Sequence, residues 1–152
     1  MENGNRAARR IEDELSEYGT YATNTNGVSM RPLFRTHRDA VALKKLDREI
    51  KKYDILLYTD PLGRYILHRV IGIRGNTLIM RGDNTFKKEY VPHERVLAYM
   101  VSFNRKGKHH TVDERGYKLY SRLWNFIYPL RFVMHKIRSL FGKIKRKYSN
   151  KN

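Results

Sequence analysis

Between Ala40 and Phe103 short β-branched and aromatic runs alternate with turn formers, and this punctuation constrains the fold more than any other feature of the chain. Ala40–Leu43, Ile55–Tyr58, Tyr65–Ile73, Thr77–Met80 and Val96–Phe103 read as strands. Pro61-Leu62-Gly63, Arg74-Gly75-Asn76 and Gly82-Asp83-Asn84 read as turns between them. Close spacing of this kind favours an antiparallel β barrel or sandwich over a βαβ architecture. Thr- and Asn-rich Tyr21–Asn26 adds a further strand that runs into a turn at Gly27, directly before Ser29.

The ends of the chain follow a different period. Ala7, Ala8, Ile11 and Leu15 fall at helical spacing within Asn5–Tyr18, with Gly19 as the stop. After Lys108, Leu119, Leu123, Phe126, Leu130, Val133, Ile137, Leu140 and Ile144 recur at alternating steps of four and three, the mark of a long amphipathic helix. Pro129 lacks the N–H that a helix interior needs, so the element is expected to restart there as two helices in line. The expected organisation is an N-terminal helix over 1–19, a β core over 20–108 and a basic helical tail over 109–152, mainly β and α+β overall.

Charge separates the core from the tail. The 152 residues carry a net charge of +17, and from Arg115 onward there are eleven Lys or Arg and no acidic residue. Such a balance favours a polyanionic partner. Three readings of the tail follow: an apolar stripe packed on the core, a helix lying on an anionic membrane surface through residues 116–148, or nucleic-acid binding, for which no recognition motif is present. Trp124, Phe126, Phe132 and Phe141 set among Lys and Arg match the membrane-surface pattern. No apolar run resembles a signal peptide or approaches the roughly 20 residues of a membrane span, which predicts a cytoplasmic location or a peripheral one on the membrane surface.

The chain has no cysteine, which excludes disulfides, thiolate nucleophiles and Cys-ligated zinc. Covalent chemistry must then use a hydroxyl, a lysine or a carboxylate. His109, His110 and Asp113 lie close together in a basic loop without further ligands and make a poor metal site; no cofactor is implied.

Three pieces occur in a fixed order: Gly27-Val28-Ser29-Met30-Arg31-Pro32, then His68-Arg69-Val70-Ile71, then Arg81-Gly82-Asp83-Asn84. Each alone is ordinary turn or strand sequence. As an ordered set they resemble the catalytic boxes of the signal peptidase I and LexA-like serine peptidase superfamily, over about Thr20–Asn104. The resemblance matches Ser29, Met30 and Pro32 to a Ser-Met-x-Pro nucleophile box and His68, Arg69 and Val70 to the base box. Histidine rather than lysine at the base position is the type found in endoplasmic-reticulum and archaeal signal peptidases. Tyr117–Trp124 also resembles a segment that ends many small bacterial members.

The resemblance implies Ser29 as nucleophile, His68 as general base, Asp83 as the acidic partner, and Gly27, Met30 and Pro32 around the substrate and oxyanion site. Neutral imidazole, with a pKa near ~6.5, can take a serine proton at physiological pH. The backbone N–H of Ser29 is the natural oxyanion donor. Glu89 is a second candidate for the acid, and His37 a second candidate for the base. The sequence departs from the family in having Gly27 where many members carry a hydroxyl, and in lacking both a second aspartate after the third box and an N-terminal membrane anchor. The implied activity is endoproteolysis of a leader or signal-type peptide after a small residue. A LexA-like self-cleaving regulator and a catalytically idle peptide- or membrane-binding β module are the alternatives.

Overall fold

A computed structural model describes residues 10–149. Helix α1 spans Ile11–Tyr18 and ends at Gly19, whose φ of 69° and N–H bond to the Leu15 carbonyl (3.1 Å) form the left-handed stop that glycine favours. The expected start of this helix, with Ala7 and Ala8, lies outside the described residues.

Eight strands follow: β1 (Thr20–Asn24), β2 (Ala40–Lys45), β3 (Ile55–Thr59), β4 (Tyr65–Arg74), β5 (Thr77–Arg81), β6 (Glu89–Pro92), β7 (Val96–Arg105) and β8 (Lys108–Thr111). They form one antiparallel sheet in the order β1-β2-β7-β3-β4-β5-β6, with β8 added to β7. Among the described residues the ladder leaves β1 and β6 as its two ends, so the expected closure into a barrel is not what the pairing shows. Strands β6 and β8 had no counterpart in the sequence reading. Strand β6 is short and ends in Pro92, which suits an edge. Strand β8 is joined to β7 by Lys106 and Gly107, both at positive φ, the geometry of a tight hairpin.

The sheet carries apolar residues on both faces. Along β3, Ile55 and Leu57 enter one cluster with Met30, Phe34, Val41 and Phe103, whereas Leu56 and Tyr58 enter another with Val70, Leu78 and Met80. Period-two alternation thus gives β3 its unbroken hydrophobic run, because both of its faces are covered. Burial of these side chains, each contributing about 1.5–3 kcal/mol, is the main stabilising force.

The tail forms α2 (Arg115–Phe126) and α3 (Tyr128–Ser149). The restart falls at Ile127, which places Pro129 in the first turn of α3, as its missing N–H requires. Among the described residues no helix is long and apolar enough to cross a membrane.

Of the readings offered for the tail, the structure bears on the packing of its apolar stripe against the core. Leu119, Leu123, Phe126, Leu130, Val133, Ile137 and Leu140 are all exposed, and the side chain of Ile144 lies outside the described residues. The opposite face docks instead: Tyr117 and Tyr120 pack on the first core cluster, Ser121 is buried, and Trp124, Asn125, Tyr128 and Arg131 bond to the core. Packing of the aliphatic stripe on the core is therefore overturned. Trp124 and Phe132 turn inward with this docked face, unlike Phe126 and Phe141.

Candidate functional site

Ser29 stands in the turn after β1. Gly27 adopts φ 83°, a left-handed conformation that a side-chain-bearing residue tolerates poorly. The Gly27 N–H bonds to Asn26 Oδ1 at 2.9 Å, and the Thr36 hydroxyl donates to its carbonyl. Met30, Leu33 and Phe34 are buried immediately after the serine and anchor the turn in the first core cluster. Farther along, the buried Asp39 carboxylate accepts from the Arg35 N–H (2.8 Å), the Lys106 N–H (3.2 Å) and the Arg38 guanidinium, and the Thr25 N–H bonds to the Asp39 carbonyl, closing the loop.

The third box holds the first one in place. The Asn84 N–H donates to the Ser29 carbonyl at 2.7 Å, while the Asn84 side-chain amide donates to the Val28 carbonyl at 3.2 Å. Gly82 lies between the other two boxes: a Cβ there would meet the Ser29 carbonyl oxygen at 2.7 Å and His68 Nε2 at 3.0 Å. The glycine is thus needed for close approach, and it sets the Ser29 main chain and the Nε2 edge of His68 against one another. Ser29 and His68 both line a cavity of about 380 Å³ with Gly27, Met30, Phe34 and Leu67.

His68 comes from β4, paired with Leu56 of β3, and its neighbour Arg69 projects to the opposite face of the strand. The Nδ1 edge of the buried imidazole meets Tyr58 Oη at 3.2 Å and Glu89 Oε2 at 3.2 Å. The Tyr58 hydroxyl donates its own proton to Glu89. Nδ1 therefore faces two acceptors and carries the ring proton, which leaves Nε2, on the Ser29 side, with a free lone pair. Burial pushes His68 below its ordinary value near 6.5, against the opposing pull of Glu89 and Asp83. Burial also raises the Tyr58 phenol, with Glu89 adding to the shift, so this hydroxyl stays protonated.

Asp83 stands elsewhere. Its carboxylate accepts Arg69 Nε and Nη2, each at 2.8 Å, and the Tyr120 hydroxyl at 3.1 Å. Arg69 is fully buried, and its remaining donors reach the Tyr53 carbonyl (3.1 Å), the Tyr117 hydroxyl (3.2 Å) and Ser121 Oγ (2.8 Å). Burial opposes the guanidinium charge, but Asp83 and then Tyr117 outweigh it and hold Arg69 above its ordinary value. The carboxylate on the imidazole is accordingly Glu89, and the assignment of Asp83 to that contact is corrected. The cause is alternation along β4, which sends Arg69 with its partner Asp83 away from the face that carries His68.

The tail completes the back of this region. Trp124 Nε1 and Arg131 donate to the Asp83 carbonyl at 2.9 and 2.7 Å, the Arg131 guanidinium lies 3.7 Å from the Trp124 ring centroid, and His135 stacks on Phe86 at 4.4 Å. Tyr58 was not singled out in the sequence, Gly82 and Asn84 stood there only as neighbours of Asp83 in the third box, and Tyr117–Trp124 was noted as a segment without its docking role. The recurrence of Tyr117, Ser121, Trp124 and Tyr128 at helical steps was the signal available for the last of these.

Of the other candidates, His37 is exposed at a positive φ and lies outside the cavity lining. Pro32 is also exposed and outside the lining, its carbonyl accepting from Arg105. His110 bonds to Glu114 and stacks on Phe103, while Asp113 pairs with Lys118.

No protein-family model matches the chain. It is 30% identical over 89 residues to signal peptidase I V of Bacillus subtilis (strain 168), an alignment that takes in 57% of this chain and 52% of that protein. The chain thus spans about half the length of the curated relative it matches. The relation is distant, to a bacterial signal peptidase I at the level of the superfamily, and is consistent with hydrolase chemistry on a serine-peptidase-like fold.

Proposed function

We propose that the chain is a serine endopeptidase related to signal peptidase I, with Ser29 as nucleophile and His68 as general base. The observation that carries this reading is the orientation of His68: Nδ1 is committed to Glu89 and Tyr58, and Nε2 faces the Ser29 turn across Gly82. In the reaction His68 Nε2 takes the Ser29 hydroxyl proton as Oγ bonds to the scissile carbonyl carbon, and the imidazolium then protonates the leaving amine as the C–N bond breaks. Water hydrolyses the acyl-enzyme with the same base. Glu89 stabilises the imidazolium and keeps the ring in its working tautomer, a positioning role shared with Tyr58. The Ser29 N–H serves as an oxyanion donor, a class of contact worth about 3–4 kcal/mol to the transition state.

The substrate proposed is a leader or signal-type peptide with a small residue before the scissile bond. The apolar cavity beside Ser29 supports this, as does β1, an end strand whose Thr23 and Asn24 border that cavity and which can accept an extended peptide. The name of the matched relative supports the same class.

The test is cleavage of a precursor peptide with small residues at the first and third positions before the scissile bond, followed by mass spectrometry. Ser29→Ala and His68→Ala should each abolish turnover, and the double variant should lose no more than either single one, because both act in one proton-coupled attack. Because burial lowers the His68 pKa and the base must be neutral, kcat/KM should rise with pH through a midpoint below 6.5 and then level. Full turnover by Ser29→Ala overturns the reading.

A further inference from the structure

The docked and open faces of the tail point to a second surface. With α-helical rotation of about 100° per residue, Tyr117, Ser121, Trp124 and Tyr128 share the side that holds Arg69 and Asp83. Leu123, Phe126, Leu130, Val133, Ile137 and Leu140 fall on the other side. Phe126 is 81% exposed, Leu130 64% and Leu140 60%. The stripe begins at Leu119, 66% exposed, and runs for about 30 Å. The break at Ile127 does not interrupt it, because the Ile127 N–H bonds to the Leu123 carbonyl and the Arg131 N–H to the Ile127 carbonyl. An aliphatic face of this length left in water marks an interaction surface.

We infer that this face lies in the interface of an anionic phospholipid bilayer, its aliphatic side chains among the acyl chains and its basic shoulders among the headgroups. Charge selects this occupant. Lys118, Arg122 and Lys136 flank the stripe on one side and Arg138 on the other, and no acidic residue occurs from Arg115 to Asn152. Long basic side chains at that position bury their stems and keep their heads at headgroup level. The spacing of four and three would equally suit a second copy of the helix. Pairing of two copies, however, sets Arg122 and Lys136 of each beside basic residues of the other with no carboxylate to meet them, whereas anionic lipid neutralises both. Nucleic acid would satisfy the charge but not the aliphatic stripe. This inference is independent of the peptidase chemistry.

The test is flotation of the full chain with vesicles of equal parts phosphatidylglycerol and phosphatidylcholine, and with phosphatidylcholine alone. Partitioning should weaken at least about tenfold without the anionic lipid and fall further as salt is raised. Leu123→Ser/Leu130→Ser/Ile137→Ser alters only exposed positions and should cost at least about tenfold more, with unchanged thermal unfolding in the absence of vesicles. Because the chain has no cysteine, Leu130→Cys can carry an environment-sensitive dye whose emission should rise on phosphatidylglycerol vesicles. The same dye at Leu62→Cys, in the exposed turn between β3 and β4, should not respond. Equal binding to both vesicle types, undiminished binding by the triple variant, a lipid-free dimer that the triple variant dissociates, or RNA binding with vesicle partitioning absent would each overturn the inference.

Discussion

Asp83 and Glu89 are carboxylates six residues apart, and their surroundings assign them opposite tasks. The side chain of Asp83 is 2% exposed and is held by Arg69 and Tyr120. That of Glu89 is 32% exposed and holds Tyr58 and the edge of His68. The first carboxylate answers a buried cation that meets no other counter-charge among the described residues, so its loss is felt by the whole fold. The second can be altered without stranding a buried charge, so its loss should be felt by the imidazole. Which acid belongs to a histidine is decided by the strand face it reaches.

The sharpest way to break the comparison is Asp83→Asn. It leaves the fully buried Arg69 guanidinium without its anion, and removing one partner of such a pair costs about 3–5 kcal/mol. Urea unfolding should show the free energy of unfolding falling by that amount, read as a lower midpoint with little change in slope. Arg69→Met/Asp83→Leu should recover much of the loss, because replacing both charges with apolar groups of similar size can be nearly neutral. A stable Asp83→Asn with a large loss of turnover alone would instead return Asp83 to the catalytic group.

Gly82→Ala joins the two regions and ranks next. The new Cβ would meet the Ser29 carbonyl at 2.7 Å and His68 Nε2 at 3.0 Å, so either the Ser29 turn or the imidazole must move. Overpacking of this kind costs about 1–3 kcal/mol. Turnover should fall more than stability, since small displacements of a reacting pair are magnified in rate. Parallel unfolding and cleavage measurements check this, and unchanged kcat would show that the gap at Gly82 is not what sets the pair.

The same comparison shows what the sequence could reveal. Strand positions were legible because β-branched runs and glycine turns are local signals, and β3 and β5 match the expected runs to within one residue. Ser29 and His68 could be singled out as candidates because their boxes keep fixed neighbours. The contact between Glu89 and His68 could not be read, because it depends on β6 pairing with β5 at Met80↔Glu89, and β6 is too short and too polar to register as a strand. The tail left the choice of its docked face open for a different reason. Its aliphatic period is strong, but the core offers α2 the buried Arg69 and Asp83 rather than an apolar trough, so hydroxyls and indole dock in place of leucines. Periodicity finds the two faces of a helix; only the partner surface says which one packs.

Glu89→Gln should give the smallest effect and the most specific one. The amide keeps the size of the side chain and still accepts from Tyr58, so the fold should unfold within about 0.5 kcal/mol of the parent, as for other substitutions away from the core. It removes the negative charge that stabilises the imidazolium, and turnover should fall on the order of tenfold to a hundredfold, a part of the ~10²–10⁴ that a positioned base contributes in all. The pH profile separates this from simple disorder of the site. Glu89 raises the His68 pKa against the larger lowering by burial, so without that charge the acid limb of kcat/KM must move to still lower pH. The plateau should be lower but reached earlier on the acid side. A limb that stays in place, or moves upward, would mean that the Glu89 charge is not coupled to the base, and that Tyr58 alone holds the ring.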